Sequence, residues 1–434
     1  MTSAIAGEKI IEKKTGQRNL QITPRKLKGM VEAIPSKSDV HRLMICAALA
    51  DKPTLLKMSF LSRDMQATLE CLEALGAKIT KNEEGILVSP IGTVLENPLL
   101  DCQESGSTFR FMLPVAAAIC EQVSFVGAGR LPDRPIGDLT EAMKAHGVTF
   151  TAEKLPFMCI GKMEGGTFEI PGNVSSQYIT GLLLALPLLE QDSHIILTSK
   201  LESAGYIDIT LSALRRFGIE VEVLEDGYKI PGKQTFRSPG ELPVDGDWSN
   251  SAFFLCAGAI GDAVTVTGID RNSPQGDKKI LEILQRFGAV VAYREDGITV
   301  SPGLLRGCTI DIGEIPDLLP VLSVVAACAS GTTRFINGRR LRLKESDRLQ
   351  STAAMIQALG GTCKELEEGL IITGGSLKGG RVDSFHDHRI AMSAAIASIR
   401  CEEPVVIEDA DAAEKSYPTF YVDFIGMGGI ANVI

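Results

Sequence analysis

The segment Leu69–Ile79, "LECLEALGAKI", joins a helix-like run to a glycine and a short β-rich run. A glycine directly after a helix commonly takes a left-handed backbone conformation and ends that helix. The same form recurs in "LTEAMKAHGVTF" (Leu139–Phe150), "LSALRRFGIEVEV" (Leu211–Val223), "LEILQRFGAVVAY" (Leu281–Tyr293) and "MIQALGGTCKEL" (Met355–Leu366). The steps between the stop glycines are 71, 71, 70 and 72 residues, for Gly76, Gly147, Gly218, Gly288 and Gly360. This period, with a shorter last copy ending near Gly426–Gly429, predicts six copies of one supersecondary unit.

Each copy also carries an Ala/Leu-rich helix ahead of the helix that ends in glycine. The clearest examples are Leu43–Ala50, Thr180–Leu189, Ser251–Ile260 and Leu319–Ala329. These helices are apolar nearly all round, so we expect them to be buried. Six units that alternate strands with helices predict an α/β fold of two similar domains, with three units in each.

The charge balance limits the classes of partner. The net charge is −10, with 44% hydrophobic and 23% charged residues. An acidic chain is not expected to bind nucleic acid or an anionic membrane as its main partner. Any anion-binding site must therefore be a local cluster of basic residues.

The ten cysteines lie at least 18 positions apart and show no metal-ligand spacing. We therefore expect neither a metal site nor a disulfide framework, but buried reduced thiols in a cytoplasmic protein. Residues 1–18 contain no apolar core, so they are expected to be a polar extension and not a signal peptide. The apolar run Gly181–Leu189 is too short to span a bilayer.

The segment Ile34–Ala50, "IPSKSDVHRLMICAALA", places two hydroxyls and two cations at the entrance of a buried helix. Ser36 is a good capping residue, but Lys37 and Arg42 add positive charge where the helix dipole is already positive. This arrangement is favourable if an anion binds there, near Ser38 and the free backbone N–H groups. The alternative is a capped helix whose two cations are simply solvated.

Three further polar clusters occur in the first half of the chain. In "ESGSTFRF", Gly106 offers a backbone that a ligand can approach closely. In "LPDRPIGDL", Pro135 holds Arg134 extended and so directs its guanidinium, although a surface arginine is the commoner explanation. Hydroxyl and amide side chains stand before two more helices, at Ser175, Ser176, Gln177 and Ser203.

The second half contains the clearest candidates for proton transfer. Asp317 stands at the start of an apolar helix, and "RLRLKESDRL" carries Lys344, Glu345 and Arg348. Such alternating charge is usually a solvated helix face. The remaining cations are Arg389, in "DHR", and Lys415, in "KSYP". Seven cations with Asp317 and Glu345 indicate a site for multiply charged anions with acid–base chemistry.

In this order, the segments "SKS…R", "G…R", "RPIG", "SSQ", "YIDITL", "PD", "KESDR", "DHR" and "KSYP" resemble the EPSP synthase family of enolpyruvyl transferases. The resemblance extends from Asn19 over nearly the whole chain. It implies two similar domains, each of three βαβαββ-type units, joined by two crossovers and closing around the ligands. Residues 36–244 would form one domain. Residues 245–434 would form the other, together with the extension and first strand in residues 1–35.

The resemblance also implies a reaction. The enolpyruvyl group of phosphoenolpyruvate would pass to the 5-hydroxyl of shikimate 3-phosphate, with release of phosphate, in chorismate and aromatic amino acid biosynthesis. It implies these small molecules as partners, no metal or organic cofactor, and a monomer.

Residue roles follow from the same resemblance. The residues implied to bind shikimate 3-phosphate are Ser38, Arg42, Ser175, Ser176, Ser203 and Lys344. Those implied to bind phosphoenolpyruvate are Lys37, Gly106, Arg134, Gln177, Arg348, Arg389 and Lys415. Asp317 would take the proton of the 5-hydroxyl, and Glu345 would transfer a proton at the enol carbon with help from Lys37 and Lys415.

The chain departs from the family pattern at three positions. Glu104, Arg340 and His386 stand where many relatives carry Asn.

Two alternative functions remain at this point. One is a UDP-N-acetylglucosamine enolpyruvyl transferase, disfavoured because Gly127–Pro135 contains no cysteine and Lys37 is followed by Ser. The other is a non-catalytic anion-binding protein, disfavoured by the presence of Asp317 and Glu345.

Overall fold

The structure is a computed structural model, and it describes residues 18–94 and 96–434. Apart from Arg18, the polar extension predicted for residues 1–18 lies outside the described residues. The described part contains 24 strands and twelve α-helices.

The strands are short, with two to five residues each. They are β1 (Leu20–Thr23), β2 (Gly29–Glu32), β3 (Thr54–Lys57), β4 (Lys78–Asn82), β5 (Gly85–Ser89), β6 (Leu99–Asp101), β7 (Gln122–Val126), β8 (Thr149–Phe150), β9 (Phe157–Ile160), β10 (Thr167–Ile170), β11 (Ser193–Leu197), β12 (Glu222–Leu224), β13 (Gly227–Ile230), β14 (Glu241–Pro243), β15 (Val264–Thr267), β16 (Val290–Tyr293), β17 (Gly297–Ser301), β18 (Thr309–Asp311), β19 (Thr332–Ile336), β20 (Thr362–Leu366), β21 (Gly369–Thr373), β22 (Gly380–Asp383), β23 (Val405–Glu408) and β24 (Ile430–Val433).

Two helices occur in each repeat. They are α1 (Lys37–Ala48), α2 (Arg63–Ala74), α3 (Gly106–Ile119), α4 (Gly137–Lys144), α5 (Ser176–Ala185), α6 (Ala204–Arg216), α7 (Trp248–Ile260), α8 (Ile280–Phe287), α9 (Leu319–Cys328), α10 (Arg348–Ala358), α11 (His388–Ala397) and α12 (Phe420–Gly426).

The strands form six four-stranded sheets with one shared pairing pattern. The orders are β14-β3-β5-β4, β6-β7-β9-β8, β10-β11-β13-β12, β2-β15-β17-β16, β18-β19-β21-β20 and β22-β23-β1-β24. In each order the first two strands are parallel, and both later pairs are antiparallel. The predicted six-fold repeat and the α/β fold class are therefore confirmed.

Two strands are exchanged between repeats. β2 precedes α1 in the chain but pairs in parallel with β15, with Gly29 opposite Val264. β14 precedes α7 but pairs in parallel with β3, with Glu241 opposite Leu55. These exchanges correspond to two crossovers of the chain.

The chain divides into two compact units, which are described separately below. Unit 1 contains the described residues up to Ile34, then Gly246–Arg271 and Asp277–Ile434. Unit 2 contains Pro35–Asp245 and the short segment Asn272–Gly276. Each unit holds three of the six sheets.

The stop glycines that defined the repeat have the expected backbone. The φ angles of Gly76, Gly147 and Gly218 are +104°, +89° and +73°. Those of Gly288 and Gly360 are +107° and +80°, and the last repeat ends at Gly428 with +96°. A residue with a Cβ is strained in this region, so the spacing reflects a conformational requirement.

The first helix of each repeat is buried, as predicted, but three of the four quoted examples begin earlier than the apolar run. α1 begins at Lys37, α5 at Ser176 and α7 at Trp248, because the polar first turns are also helical. Cys46 and Cys256 are buried as expected, whereas Cys328 is only half-buried. Among the described residues, no helix has the length and apolarity needed to cross a membrane.

Candidate active site

The candidate side chains share one structural position, the N-terminal end of a helix or the turn just before it. Gly106 begins α3, Ser175 caps α5, and Asp387 caps α11. The sequence placed Ser176 and Gln177 ahead of their helix, whereas both belong to the first turn of α5. Backbone N–H groups in a first turn lack helical partners and favour anions.

Lys37 in unit 2 lies in the first turn of α1, beside an acidic residue of the next helix. Its Nζ lies 2.9 Å from Oδ2 of Asp64, and both side chains are largely buried. The excess positive charge seen in the sequence is therefore matched by a carboxylate 27 positions away. Asp39, in the same first turn, is also buried, and burial raises the pKa of its carboxyl to about 6.

Arg42 is almost completely buried and makes several hydrogen bonds to the protein. It donates from Nε to Thr210 Oγ1 at 2.7 Å and from Nη2 to the Tyr206 carbonyl at 3.0 Å. Its Nη1 donates to the Ser38 carbonyl at 2.5 Å, which joins the guanidinium to the first turn of α1. Burial lowers the pKa of this guanidinium to about 10. Arg42 therefore connects the N-terminal ends of α1 and α6.

A chain of buried hydroxyls beneath these residues was missed by the sequence analysis. His41 Nδ1 lies 2.6 Å from Thr68 Oγ1, which lies 2.7 Å from Thr108 Oγ1. Thr108 Oγ1 in turn donates to Ser105 Oγ, the cap of α3. Burial, with the nearby Lys37 and Arg42 charges, holds the pKa of His41 well below its usual value. A neutral His41 thus helps to fix the ends of α1, α2 and α3.

Two arginines pack directly onto Gly106. A Cβ at this position would lie 2.6 Å from Arg134 Nη1 and 2.7 Å from Arg110 Nη1. Arg134 has an extended backbone (φ −78°, ψ 138°), as its position before Pro135 predicted. Arg110, which was not predicted, donates from Nη2 to the Pro135 carbonyl at 2.8 Å. The glycine is required here because it lets two guanidinium groups approach the start of α3.

The start of α5 adjoins the same part of unit 2. Ser175 Oγ accepts from the Gln177 backbone N–H at 3.3 Å, and Gln177 Nε2 donates to Ser107 Oγ at 3.0 Å. Ser176 is buried. The hydrogen bond from Gln177 to Ser107 brings the first turns of α3 and α5 together.

Ser203 stands immediately before α6 and has a left-handed backbone (φ +57°, ψ 46°). Few residues other than glycine adopt this conformation, and it commonly marks a functional constraint. Ser203 is buried, and α6 packs against α1 and α5. It is therefore held near the turns that carry Ser38 and Ser176.

In unit 1, Asp317 is the centre of a charged cluster. It lies in the turn Pro316–Leu318 at the start of α9, as predicted. Its Oδ1 accepts from Arg348 Nη1 at 2.6 Å, and its Oδ2 from Arg389 Nη2 at 2.9 Å. Burial alone would raise the pKa of the carboxyl, but Arg389, Lys344 and Arg348 hold it well below its usual value. Asp317 is therefore firmly ionised in the unliganded protein.

Arg348 is only 1% exposed and binds three carboxylates, so it is not the solvated residue that the alternating charge pattern suggested. Besides Asp317, it contacts Glu345 Oε2 at 2.7 Å and Asp387 Oδ2 at 2.8 Å. Burial would lower the pKa of the guanidinium, but these carboxylates raise it well above its usual value. Arg348 therefore holds the three carboxylates together.

Lys344 and Glu345 lie in the segment that leads into α10. Lys344 Nζ is 3.7 Å from Asp317 Oδ1, and burial lowers the pKa of its ammonium. Three cations (Lys344, Arg348, Arg389) thus face three carboxylates (Asp317, Glu345, Asp387) in this cluster. The cations are the more conspicuous charges in the sequence, but the described cluster is balanced in charge.

The start of α11 and the turn before α12 complete this region of unit 1. Asp387 Oδ1 accepts from the Arg389 backbone N–H at 2.9 Å. Lys415, half-buried, donates from Nζ to the His386 carbonyl at 3.0 Å. His386 itself lies beside Asp409 Oδ2 at 2.5 Å and has a φ of +53°.

Two residues of the fourth repeat were missed although they lie in this cluster. Asp277 precedes α8, and Ser249 on α7 donates from Oγ to its Oδ2. Nothing in the local sequence "PQGDKK" distinguishes this carboxyl from an exposed one. The repeat gives one signal, because Asp277 lies 11 residues before the stop glycine Gly288, and Arg348 lies 12 residues before Gly360 at the start of α10. Across residues 18–94 and 96–434, no group of three or more His, Cys, Asp or Glu side chains is arranged to hold a metal ion.

Comparison with known proteins now gives the family. Residues 22–424 match the family model described as EPSP synthase (3-phosphoshikimate 1-carboxyvinyltransferase). The chain is 43% identical over 418 residues to the 3-phosphoshikimate 1-carboxyvinyltransferase of Clostridium perfringens, covering 94% of this chain and 98% of that protein. It is 40% identical to the enzyme of that name from Clostridioides difficile, over 95% and 98% of the two chains.

Solved structures agree with this assignment. The EPSP synthase from Acinetobacter baumannii superposes with a TM-score of 0.81 at 25% identity, covering 96% of this chain and all of that one. The enolpyruvyl transferase NikO from Streptomyces tendae has a TM-score of 0.79 at 16% identity, which supports the fold alone. The chain therefore belongs to the EPSP synthase (3-phosphoshikimate 1-carboxyvinyltransferase) family.

Proposed function

We propose that this chain transfers the enolpyruvyl group of phosphoenolpyruvate to the 5-hydroxyl of shikimate 3-phosphate and releases phosphate. This activity belongs to chorismate and aromatic amino acid biosynthesis. The observation that carries the proposal is family membership over residues 22–424, at 43% identity to a relative with this name. The relatives reported above carry the name 3-phosphoshikimate 1-carboxyvinyltransferase and not that of a UDP-N-acetylglucosamine enolpyruvyl transferase.

In unit 2, we assign the shikimate phosphate to hydroxyl groups at helix starts. Ser175 caps α5 and Ser176 begins it, Ser38 lies in the first turn of α1, and Ser203 precedes α6. A phosphate gains charge-assisted hydrogen bonds at such positions. Most donors of Arg42 bond to the protein, so its proposed contribution is charge and the positioning of the Ser38 turn. In unit 1, Lys344 is the proposed ligand.

The phosphoenolpyruvate ligands of unit 2 are proposed to be Lys37, Arg134, Gln177 and the Gly106 backbone. Arg134 Nη1 lies against the start of α3, where free N–H groups and a guanidinium favour the same anion. Lys37 is ion-paired with Asp64. We expect an incoming phosphate to compete with that carboxylate, so Asp64 moderates the affinity for phosphoenolpyruvate.

The remaining phosphoenolpyruvate ligands, Arg348, Arg389 and Lys415, are proposed in unit 1. Arg389 and Arg348 are the two guanidinium groups that bind Asp317. A substrate anion bound by Arg348 and Arg389 brings negative charge toward Asp317. It also competes with Asp317 for these two guanidinium groups. Both effects raise the pKa of the carboxyl. The substrate thereby converts a weak base into one able to accept a proton.

Asp317 is the proposed base for the 5-hydroxyl. As its proton passes to Asp317, the hydroxyl oxygen bonds to C2 of phosphoenolpyruvate, and C3 gains a proton from the protonated form of Glu345. Lys37 and Lys415 are the proposed sources of the Glu345 proton. The resulting tetrahedral adduct loses phosphate from C2 and returns a proton from C3 to the Glu345 carboxylate, which forms the enol ether. Cations near the leaving phosphate stabilise the charge that it develops.

The test is release of inorganic phosphate from the purified chain. Release should require both phosphoenolpyruvate and shikimate 3-phosphate, and shikimate 3-phosphate should not be replaceable by UDP-N-acetylglucosamine. A non-catalytic anion-binding protein would bind both substrates without release. We also propose that the active species is a monomer, which sedimentation of the active sample checks.

A further inference from the structure

The fourth repeat is the one in which the sequence analysis found no candidate residue. The other repeats carry candidates where their helices begin, such as Gly106 on α3, Asp317 before α9 and Arg348 on α10. The corresponding positions in the fourth repeat are the starts of α7 and α8. Ser249 lies in the first turn of α7, and Asp277 lies in the turn Gly276–Lys279 before α8.

Asp277 is buried in a way that disfavours its ionised form. The residue is 4% exposed. Its Oδ2 accepts from Ser249 Oγ, but its Oδ1 has no hydrogen-bond partner among the described residues. A buried carboxylate oxygen without a donor carries a large desolvation cost, whereas the cost for a protonated, uncharged carboxyl at the same place is much smaller.

The charged groups around Asp277 belong to three other elements. Asp247 caps α7, Asp317 precedes α9, and Arg389 lies on α11, while Lys278 and Lys279 follow Asp277 in its own turn. Burial raises the pKa of Asp277 to about 7, and the charges of Asp317 and Asp247 add to the rise. Arg389 and the hydrogen bond from Ser249 act in the opposite direction.

We propose that Asp277, held by Ser249, is a positioning residue for the enolpyruvyl transfer proposed above, and that it acts while protonated. When Asp277 is uncharged, Arg389 can pair with Asp317 and with the substrate anion. When Asp277 ionises, a second carboxylate competes for Arg389 and repels both Asp317 and phosphoenolpyruvate. The inference rests on the proposed function, because its effect is on use of that substrate.

The experiment compares pH profiles of kcat/KM for phosphoenolpyruvate between pH 5.5 and 9, measured by phosphate release. Profiles of kcat/KM report ionisations of the free enzyme. The variant Asp277→Asn remains uncharged at every pH. Its kcat/KM relative to the wild type should therefore rise with pH, by up to about tenfold per pH unit above 7 for a single ionisation. Groups that titrate equally in both proteins cancel in this ratio.

A second variant, Ser249→Ala, should shift the pH profile of kcat/KM along the pH axis, which a folding defect would not do. Ser249→Ala removes a hydrogen bond that lowers the pKa of Asp277. In the wild type, ionisation of Asp277 should make kcat/KM fall at alkaline pH, and this fall is the alkaline limb of the profile. The limb should move to higher pH in Ser249→Ala and should be absent in Asp277→Asn. The control is Asp262→Asn, which changes an exposed carboxylate paired with Lys26 and should leave the profile unchanged. Fluorescence of the single tryptophan, Trp248, checks that each variant is folded.

The outcomes separate this inference from the proposed function. A wild type that releases no phosphate would reject the function itself. The positioning role is wrong if the wild type is active but the ratio of kcat/KM in Asp277→Asn to kcat/KM in the wild type stays constant within about threefold from pH 6 to 9. An alkaline limb that stays in place or moves to lower pH in Ser249→Ala also overturns it.

Discussion

Replacing Arg348 by alanine should destabilise unit 1 far more than the neighbouring replacement Arg342→Ala. Both arginines bind carboxylates at similar distances. Arg348 contacts Asp317, Glu345 and Asp387 at 2.6–2.8 Å, and Arg342 contacts two carboxylates at 2.9 and 2.7 Å. They differ in burial, because Arg348 is 1% exposed and Arg342 is 28% exposed.

The expected magnitude follows from this difference in burial. Removing one partner of a buried ion pair costs about 3–5 kcal/mol, because the other charge is left uncompensated. A pair with access to water contributes about 0.2–1 kcal/mol. We therefore expect Arg348→Ala to lower the free energy of unfolding by about 3–5 kcal/mol, and Arg342→Ala by about 1 kcal/mol or less.

The loss of stability in Arg348→Ala relative to the wild type should also depend on pH. Asp317 has a depressed pKa, so its stabilising contribution is present above its unfolded value near pH 4 and is lost as the pH falls toward the folded value. Without Arg348 this pKa rises and the contribution shrinks. The gap between wild type and Arg348→Ala should therefore be largest near neutral pH and should narrow below about pH 4.

Urea unfolding followed by the fluorescence of Trp248 measures this effect. Trp248 is the single tryptophan, it is fully buried, and it lies on α7 of unit 1. Equal losses of stability in the two variants would refute the reasoning. So would a loss in Arg348→Ala that is the same at pH 7 and at about pH 2.5, well below the unfolded pKa of Asp317.

Three further predictions concern single positions. Asp317→Ala should lower kcat by about 10²- to 10⁴-fold, the usual contribution of a general base, with a smaller change in KM; near-normal turnover in steady-state assays would remove Asp317 from the mechanism. Arg134→Ala should raise KM for phosphoenolpyruvate about tenfold or more, since a hydrogen bond to a charged group contributes about 1.5–3 kcal/mol; a loss confined to shikimate 3-phosphate would mean that Arg134 faces the other substrate. The raised pKa of Asp39, about 6, makes its ionised form destabilising, so stability is lost as the pH rises from 4 through 6. Asp39→Asn should therefore gain about 3 kcal/mol relative to wild type between pH 4 and 8, and a calorimetric difference that is the same at both pH values contradicts this.

The repeat could be predicted because it depends on a local signal. Gly76, Gly147 and Gly288 all need a left-handed backbone, and that need is visible in the sequence as a glycine at a fixed spacing. The exchange of β2 and β14 depends on pairing between strands more than 180 positions apart. No local pattern encodes such pairing, and the resemblance alone indicated the crossovers.

Helix starts were predicted too late for a physical reason. The apolar run identified the buried part of α1 but not its first turn, where Lys37 and Ser38 are already helical. Polar residues are favourable in first turns because free N–H groups and the helix dipole interact with them. A pattern based on hydrophobic residues does not detect that part of a helix.

The charge balance of the site could not be predicted from composition. Lys37 and Arg348 looked like excess cations, but Asp64 and Asp387 compensate them from positions 27 and 39 residues away. Asp277 was missed for the related reason that burial, not sequence context, separates it from an exposed carboxylate. Which charges face one another is a property of tertiary packing.

The most direct test of the central claim is phosphate release measured with both substrates together and with each one alone. If the chain transfers the enolpyruvyl group, phosphate is released only when phosphoenolpyruvate and shikimate 3-phosphate are both present, in a one-to-one ratio with the enol ether product. Release from phosphoenolpyruvate alone at the same rate, or binding of both substrates with no release, would contradict the account.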